Sequence, residues 1–440
     1  MNHKVLSLTA AMALTLSAFA ANNLALQTGG TRAETDRTWY LAGEAMTVSV
    51  TDDDASIAYA ELCDLHGMAA GVVIGLKGNK GTGLIELPSD LHSGYYVLSV
   101  YTRHNVHVAQ QLVAVVNPLR KSEDDDIEWV MVTHPDSLSY PSTNGPTADL
   151  VNEKATDERE TEGHVIKARV KNVYDGHAFR CTDICPSLSI IGKQIHYFEG
   201  KMVNDSLAVF FTFGIEGNQP LVLSALSSAE AMGRRGSSVS LPIEMISPFA
   251  TLLPKQLPHL VFHYKRSEVE ARSLDMQRHQ KAVAPAKREP QMGVTADNTA
   301  VEVAPLDYDE TAYGTKPDLS YNLDEYRQFL TVREVLLEYV NCVKHTRSEG
   351  VQRLIVRREQ EVYNSTLPTL VLIDGMPVYD IERLLNYDAR RIHYINIYAG
   401  QYTFGNGVYN GILSFVTRSG RLTNYPTEPN TQYLVYDFPQ

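Results

Sequence analysis

Short apolar segments, separated by polar or glycine-rich turns, follow one another from residue 37 to residue 118 and constrain the fold most strongly. The segments are Thr47–Val50, Ile57–Leu62, Val72–Ile74, Gly83–Leu87, Tyr95–Tyr101 and Val106–Val116. Strands this short, punctuated this regularly, are typical of an immunoglobulin-like β-sandwich. The chain also has 24 tyrosines against 12 phenylalanines and 2 tryptophans, which fits half-buried strands. We therefore predict a β-sandwich over 37–118.

The same pattern returns further along and predicts a second β-sandwich over 163–255. Its predicted strands are His164–Val173, Ser187–Ile191, Ile195–Glu199, Ala208–Phe213, Leu221–Ala225 and Ser238–Leu241. Between the two sandwiches, the segment 119–162 carries the acidic run Glu123–Asp126 and several prolines. This composition indicates a solvated linker.

A second break covers 264–320, where prolines stand among alanine, valine and threonine without periodicity. This composition indicates a flexible tether. Its first part, Tyr264–Gln280, is compatible with an exposed helix. The sequence therefore predicts that a last domain, 321–420, moves relative to the rest and is followed by a tail, 421–440.

The first predicted sandwich contains four motifs in order, which are Tyr40-Leu-Ala-Gly43-Glu44, Leu87-Pro88-Ser-Asp-Leu91, Ser93-Gly94-Tyr95-Tyr96 and Tyr101-Thr102. This order resembles the macroglobulin-type β-sandwich of the alpha-macroglobulin family in its bacterial envelope versions. The resemblance implies structural roles for Gly43, Glu44, Leu87, Pro88, Gly94, Tyr96, Tyr101 and Thr102. The Cys-Gly-Glu-Gln thioester of the protease-trapping members does not occur in the sequence. Covalent trapping is therefore not expected.

The segment 321–420 combines helix and strand signals. Thr331-Val-Arg-Glu334 is a capping box that opens a helix. Strands are predicted at Leu354–Val356, Thr369–Ile373, Ile392–Tyr398 and Ile412–Thr417, with a short helical turn at Ile381–Leu385. Asp374-Gly375 has strong turn chemistry, and we expect the Asp374 carboxylate to bond its own backbone there. The sequence thus predicts a small α+β domain.

This order resembles the plug domain of TonB-dependent outer-membrane receptors, over Pro368–Val378, Ile392–Gly400 and Phe404–Gly420. The resemblance implies structural roles for Asp374, Gly375, Pro377, Gly400, Gly405, Gly411 and Thr417. After the capped helix plugs usually carry Pro-Gly, where this chain has Val343-Lys344. A receptor barrel of ~22 strands needs well over ~200 residues after the plug. Because only 421–440 follow here, we expect that the chain is not itself the transporter.

The first twenty residues predict export. Lys4 precedes the apolar run Val5–Phe19, and Ala18-Phe19-Ala20 is a signal peptidase pattern. We predict a signal peptide over 1–20 and a mature chain from Ala21, with an uncleaved anchor as the alternative. No later stretch reaches the ~20 apolar residues of a membrane helix, so the mature chain is expected to have no transmembrane segment. The predicted location is the periplasm, or association with the outer membrane.

The net charge limits the classes of binding partner, and the cysteine content limits the disulfide bonds that the chain can form. The formal net charge of −13 argues against nucleic-acid binding, which needs a basic surface. Of the 4 cysteines, Cys63 and Cys342 are predicted to be core thiols. Cys181 and Cys185 leave two alternatives open. An extended segment puts their Cα atoms beyond disulfide reach, whereas a turn brings them within it.

Signatures of catalysis and of ligand binding do not occur in the sequence. There is no H-E-x-x-H, G-x-S-x-G, Walker loop or G-x-G-x-x-G. His104 and His107 would point to opposite sides of a strand, so we expect no shared metal ion. Asp52–Asp54 lacks the calcium-loop pattern and predicts a solvated turn. We expect no catalytic residue, no metal and no cofactor.

Taken together, the motifs predict a non-enzymatic binding or scaffold protein of a Gram-negative cell envelope, serving TonB-dependent uptake as an accessory. The expected partners are envelope proteins, among them an outer-membrane β-barrel receptor supplied by another chain. The alternative is a macroglobulin-related protease-binding or inhibitory protein without a thioester. A third hypothesis is a hydrolase without a recognisable motif.

Overall fold

The structure is a computed structural model, with strands and helices numbered in chain order. The residues that it describes are 30–103, 108–133, 139, 141–143, 160, 163–192, 195–227, 239–283, 310–348, 351–357, 367–404, 407–420, 422, 425 and 430–439. The predicted signal peptide, 1–20, lies outside the described residues. The described part of the chain contains 27 strands and three α-helices, and the chain divides into two compact units. None of these helices combines the length and the apolar character needed to cross a membrane.

The first unit comprises Met1–Glu162, Phe249–Ala286 and Pro439–Gln440. Its sandwich strands are β1 (Arg32–Thr35), β2 (Trp39–Leu41), β3 (Ala45–Thr51), β4 (Ile57–Cys63), β5 (Met68–Gly75), β6 (Lys80–Glu86), β7 (Gly94–Tyr101) and β8 (Ala109–Val116). They form two sheets, with strand orders β1-β3-β6 and β2-β8-β7-β4-β5. This arrangement confirms the predicted immunoglobulin-like sandwich.

The period of two along each strand places apolar side chains between the two sheets. In β3 the side chains of Met46, Val48 and Val50 are buried, whereas the intervening residues are more exposed. Tyr40 and Tyr96 lie in the same hydrophobic core and are fully buried. Alternation therefore fixes the inward face of β3, whereas β4 and β7 are buried along their whole length.

The predicted linker and tether contribute ordered elements to this unit, which corrects the boundaries 119–162, 163–255 and 264–320. Strand β9 (Ile127–Met131) pairs in parallel with β19 (Leu260–Tyr264), and helix α1 (Arg266–Val283) follows. Apolar side chains of all three elements pack in one hydrophobic cluster with residues of β2, β7 and β8. These elements are ordered because a few well-spaced apolar side chains in the acidic and proline-rich segments are buried in this cluster.

The second unit comprises Gly163–Pro248 and Lys287–Phe438. Its sandwich strands are β10 (His164–Val170), β11 (Val173–Tyr174), β12 (His177–Ala178), β13 (Ile184–Ile190), β14 (His196–Glu199), β15 (Lys201–Met202), β16 (Leu207–Thr212), β17 (Gly217–Ser227), β18 (Ile243–Met245) and β27 (Gln432–Phe438). The two main sheets have the orders β15-β16-β10-β18 and β14-β13-β17-β27. The second predicted β-sandwich is therefore present as well.

The C-terminal module, Leu319–Thr417, has the predicted α+β character. Its elements are β20 (Leu319–Asn322), α2 (Val332–Glu338), β21 (Val343–Ser348), β22 (Val351–Val356), β23 (Leu370–Ile373), β24 (Met376–Pro377), α3 (Ile381–Leu385), β25 (Ile392–Phe404) and β26 (Gly407–Thr417). The main sheet has the order β20-β25-β26-β23-β24, and β21 pairs with β22. Thr331 and Glu334 form the capping box that opens α2.

Two expectations about the end of the chain are corrected. The segment 421–440 is not a separate tail, because β27 completes a sheet of the second sandwich. The module is not a separate body either, since Ile191 and Val222 of the sandwich belong to its hydrophobic core. The backbone amide of Gly192 also donates to the Asp374 carbonyl at 3.1 Å. The module and the sandwich therefore form one unit.

Candidate functional site

Asp374 and Gly375 form the turn between β23 and β24, with φ angles of +48° and +89°. The Asp374 carboxylate accepts hydrogen bonds from the Thr417 amide at 2.7 Å, the Thr417 hydroxyl at 2.5 Å and the Leu422 amide at 2.9 Å. The expectation that Asp374 bonds its own backbone is therefore corrected. The carboxylate reaches across to the end of β26, and so brings two of the plug-like motif residues together.

The environment of Asp374 is that of a structural carboxylate. Its side chain is buried, and burial raises the pKa of the carboxyl group above its ordinary value, opposed by the hydrogen bonds from Thr417 and Leu422. Gly375 is required next to it, because a Cβ atom there would lie 2.6 Å from Ile195 Cγ2. The turn thus fixes the module to the sandwich, and the carboxylate oxygens are occupied by protein donors.

The remaining plug-like motif residues are spread along the same sheet. Pro377 is buried in β24, Gly400 lies in β25, and Gly411 lies in β26 with φ +89°. A Cβ atom on Gly411 would lie 3.2 Å from Val356 Cβ, so this glycine allows close packing of β22. Gly405 lies outside the described residues. These positions shape the sheet and do not converge on a common site.

The hairpin of β25 and β26 continues beyond the rest of the sheet. β20 pairs with Tyr394–Ile397 and β23 pairs with Ile412–Phe415. Further out the two strands pair with each other, and the Asn410 amide also donates to the Pro368 carbonyl at 2.8 Å. We call the described residues of 401–410 the hairpin tip. Its apolar side chains are Tyr402, Phe404, Val408 and Tyr409, of which Val408 is 39% exposed. The three aromatic side chains of the tip are half-buried and pack against a buried cluster of the sheet, which consists of Leu370, Leu372, Tyr398 and Ile412.

An aromatic cluster attaches the hairpin tip to the sandwich. Phe404 stacks on Tyr197 of β14, with ring centroids 4.3 Å apart. Burial raises the pKa of Tyr197 and of Tyr409 above the ordinary value, with Tyr379 as a further cause for both hydroxyls. Tyr197 and Tyr409 are half-buried, and the Tyr197 hydroxyl also has a hydrogen bond with the Ser187 side chain. The cluster is therefore a packing contact that holds the tip on the sandwich.

Among the macroglobulin-like motif residues, Glu44 contacts helix α1. Gly43 before it has φ +91°, and the Glu44 carboxylate accepts from the Leu41 amide at 2.8 Å and from the Arg272 guanidinium of α1. The Arg272 guanidinium also lies 3.7 Å from the centre of the Trp39 ring. Glu44 therefore holds helix α1 on the sandwich, which is a structural role.

The other motif residues of this set support β7 and the turn before it. Leu87 is buried, Pro88 follows β6, and Gly94 opens β7. The Tyr96 hydroxyl donates to the carbonyl of His92, two residues before Gly94, at 3.1 Å. Thr102 is buried where β7 ends. These residues fix the tyrosine strand and its entry turn.

A buried carboxylate in the first unit was not anticipated from the sequence. Glu61 is fully buried in β4 and accepts from the Tyr101 hydroxyl at 3.2 Å and from the amides of Thr251 at 3.0 Å and Leu252 at 2.5 Å. Nearby, Glu160 accepts from Tyr59 at 2.7 Å. The available signal was one acidic residue inside the otherwise apolar strand Ile57–Cys63. The hydrogen bonds to Glu61 and to the Tyr101 hydroxyl hold residues 250–252 on the sheet.

The titration of Glu61 gives a testable pH dependence. Burial raises the pKa of Glu61 above its ordinary value, although bonds from Leu252, Thr251 and Tyr101 oppose the shift. Because the folded state then binds the proton more tightly than the unfolded chain, the contribution of Glu61 to stability is greatest at low pH. This contribution falls as the pH rises through the raised value.

We therefore expect wild-type protein to lose stability relative to Glu61→Gln as the pH rises above about 4.3, the ordinary pKa of a glutamate side chain. Urea unfolding followed by tryptophan fluorescence measures this difference, since Trp39 and Trp129 both lie in the first unit. The control variant Tyr101→Phe keeps the carboxylate and should keep a pH dependence. Identical pH profiles for wild type and Glu61→Gln would contradict this account of the carboxylate.

The structure describes the two neighbouring cysteines and most of the residues that could bind a metal ion. Cys181 and Cys185 are both free thiols, and Cys181 Sγ donates to Asp205 Oδ1 at 3.1 Å. No disulfide bond therefore joins these two cysteines in the structure. Within the described ranges no group of three His, Cys, Asp or Glu side chains is placed to hold a metal ion. His104 and His107 lie outside these ranges.

No family model and no curated protein matches the chain. Among solved structures, the BSP domain of a biofilm associated protein is similar at 9% identity and TM-score 0.17, covering 52% of this chain and 30% of that one. The alpha-2-macroglobulin of Salmonella, as a Y1175G mutant, is similar at 11% identity and TM-score 0.17, covering 51% and 15%. That of Escherichia coli, activated by porcine elastase, is similar at 12% identity and TM-score 0.18, covering 50% and 20%.

The chain thus spans less than a third of the length of each of these proteins. With TM-scores below 0.2, these likenesses carry no argument about function. The strand orders of the two sandwiches establish the class: this chain is mainly β and is built from immunoglobulin-like β-sandwiches, with a small α+β module.

Proposed function

We propose that this chain is a non-enzymatic binding or scaffold protein of the cell envelope that serves TonB-dependent uptake as an accessory. The hairpin tip is the observation that carries the proposal. It extends beyond the pairing of β20 and β23, and its Val408 side chain is 39% exposed, whereas its aromatic side chains Tyr402, Phe404 and Tyr409 are half-buried. Aromatic residues are enriched at the centres of protein interfaces, so this composition favours a protein partner.

The attachment of the tip supports the same function. A binding element is most effective when rigid elements hold it in place, because less conformational entropy is lost on association. Here the Tyr197–Phe404 stack holds the tip from the side, and the Asp374–Thr417 hydrogen bonds hold the opposite end of the hairpin. The chain would therefore present the tip as a preformed surface.

The class of partner comes from the plug-like motifs. Plug domains of TonB-dependent receptors sit inside a barrel, and the resemblance implies a surface shaped for a barrel wall. Asp374 and Gly375 form a turn, and the Asp374 carboxylate accepts hydrogen bonds from Thr417, which would hold such a surface in shape. We therefore take an outer-membrane β-barrel protein as the partner and the periplasmic side of the outer membrane as the place of action.

Substitution of one exposed valine at the tip tests the proposal. Val408→Asp places a charge on the tip, and we expect it to reduce capture of barrel proteins by the full-length chain at least ~10-fold, which corresponds to ~1.4 kcal/mol. The matched control is Val203→Asp, because Val203 is 62% exposed in the same unit, away from the hairpin. Capture is measured by crosslinking in intact cells, purification of the tagged chain and mass spectrometry.

Three outcomes would count against this function. Equal capture of a barrel protein by both variants would show that the tip is not the binding element. Enrichment of a protease, unaffected by Val408→Asp, would instead support the alternative of a macroglobulin-related protease-binding protein. A third outcome, with no envelope protein above a mock sample, would reject the accessory role.

A further inference from the structure

Strands β9 and β19 of the first unit form a sheet of only two strands, which run parallel. Parallel strands usually lie inside larger sheets that are covered on both faces. One face of this sheet packs on the sandwich through Leu260 and Phe262. Among the described residues, however, no third strand pairs with β9 or with β19. The sheet therefore ends at β9 on one side.

The hydrogen bonds between the two strands show which backbone groups of β9 face outward. The Leu260 amide donates to the Asp126 carbonyl at 3.2 Å, and the Val132 amide donates to the Tyr264 carbonyl at 2.9 Å. Along a strand, residues that bond to one neighbour alternate with residues that face the other way. The positions that face away from β19 are Ile127, Trp129 and Met131. Because the described residues provide no backbone partner for these amides and carbonyls, they can pair with a further strand.

Two apolar side chains lie beside these backbone groups. Trp129 is 37% exposed and Met131 is 60% exposed. Phe262 and Tyr264 hold the Trp129 ring in edge-to-face contacts, with ring centroids 5.4 Å and 5.2 Å away. A tryptophan that is held in place and partly exposed suits a protein interface, because it offers a large apolar area. We call the outward backbone of 127–131, with these two side chains, the β9 edge.

The charge next to the β9 edge indicates what occupies it. The exposed carboxylates of Glu123, Asp124 and Glu128 have no ion-pair partner in the described part of the chain. The segment 120–128 holds five acidic residues against the bases Arg120 and Lys121. Charge complementarity therefore favours a basic segment. A second copy of the chain would bring a further excess of negative charge, since its net charge is −13.

We propose that the β9 edge binds an extended segment of a partner protein, which adds to β9 as a further strand. The segment carries aliphatic side chains at alternate positions, next to Trp129 and Met131, and lysine or arginine beside the acidic residues 123–128. Main-chain pairing gives the affinity, and the alternate side chains give the specificity. This inference is independent of the proposed function, because β9 belongs to the first unit and the hairpin tip to the second.

A short synthetic peptide tests the β9 edge. The probe is the capped peptide KKTVTVTKK, which alternates valine with threonine and carries lysines at both ends, so that it suits either strand direction. Its binding to the full chain is measured by the anisotropy of a fluorescent label at about 0.15 M salt, which limits attraction by charge alone. In the control peptide KKTPPVTKK, two adjacent prolines remove one amide of each facing direction and keep the charge. The control peptide EETVTVTEE keeps the pairing groups and reverses the charge.

We expect saturable binding of KKTVTVTKK to the wild-type chain with a Kd below ~1 mM, and at least ~10-fold weaker binding of both control peptides. Met131→Lys should weaken the binding of KKTVTVTKK by at least ~10-fold as well, because it places a like charge on the edge. The matched variant is Leu65→Lys, since Leu65 is 46% exposed in the turn after β4 of the same unit. It should leave the Kd unchanged.

Several results would overturn the inference. If KKTPPVTKK binds as tightly as KKTVTVTKK, the attraction is one of charge and not of strand pairing. If Leu65→Lys weakens binding as much as Met131→Lys, the peptide does not bind at the β9 edge. Absence of binding to the wild-type chain would reject the site itself. A wild-type dimer in light scattering that Met131→Lys abolishes would show that a second copy occupies the edge instead.

Discussion

Replacing Asp374 by alanine is expected to lower the free energy of unfolding of the second unit by roughly 3 kcal/mol or more. Three buried donors lose their acceptor, and each lost partner costs ~1–3 kcal/mol. The donors are the amide and hydroxyl of Thr417 and the amide of Leu422. Alanine also tolerates the φ of +48° at this turn less well than aspartate. Asp374→Asn keeps one acceptor oxygen and tolerates the same φ, so its loss should be smaller.

The effect of Asp374→Ala should be confined to one unit. Because both tryptophans lie in the first unit, tryptophan fluorescence reports that unit, while far-ultraviolet circular dichroism reports both. We expect the dichroism signal of Asp374→Ala to show an earlier transition in urea, with an unchanged fluorescence midpoint. A loss of unfolding free energy below ~1 kcal/mol would show that Asp374 does not hold the module together. Equal shifts of the dichroism and fluorescence midpoints would show the same.

Replacing Phe262 by alanine is expected to have the converse effect, a loss of about 3–5 kcal/mol in the first unit. Phe262 is 1% exposed, and its ring centroid lies 4.9 Å from that of Trp39 and 5.4 Å from that of Trp129. The truncation would leave a cavity between β19 and the sandwich and would change the surroundings of both tryptophans. The fluorescence midpoint in urea should therefore move to lower concentration, while the part of the dichroism change that reports the second unit stays in place.

The control for this substitution is Leu84→Ala. Leu84 is 54% exposed on β6 of the same unit, so its truncation should change the free energy of unfolding by less than ~0.5 kcal/mol. If Phe262→Ala unfolds no more easily than Leu84→Ala, the ribbon of β9 and β19 is not packed on the sandwich. In that case the original expectation of a loose linker would be restored.

Sequence patterns were sufficient wherever the determining interactions are local. The short apolar segment Ile57–Leu62 predicted β4, which ends one residue later at Cys63. The capping box of Thr331 and Glu334 is formed as expected, because its two hydrogen bonds join residues three positions apart. Similarly, Asp374-Gly375 predicted a turn, and both residues have the positive φ that this chemistry favours. In each case the signal and its physical cause lie within one element.

The features that sequence patterns missed all depend on partners far along the chain. Arg272 contacts Glu44 across 228 residues, and this pairing turns part of an expected tether into a docked helix. The Thr417 hydroxyl reaches Asp374 across 43 residues, so the role of that carboxylate could not be assigned from its neighbours. The periodicity of a sequence indicates the apolar face of a strand, but it does not indicate which other strand will pair with its edge.

The candidate binding element shows the same limit. The residues around Val408 were recognised as part of a strand-rich, glycine-punctuated segment. Their exposure depends on where the pairing of β20 and β23 stops along the hairpin, which is a property of the assembled sheet. The sequence predicted strands at Ile392–Tyr398 and Ile412–Thr417, and the three-dimensional structure was needed to show that they pair as a hairpin and to find its tip.

Photo-crosslinking from position 408 is the most direct measurement of the central claim that the tip contacts an outer-membrane barrel. A photo-reactive amino acid at position 408 in the full chain is activated in living cells, and the crosslinked product is identified by mass spectrometry. The same amino acid at position 203, equally a valine on the surface of the second unit, is the control. The account predicts a crosslink to a β-barrel protein from position 408 and none from position 203. A crosslink from 408 only to soluble proteins, or equal crosslinks to the barrel from both positions, would contradict it.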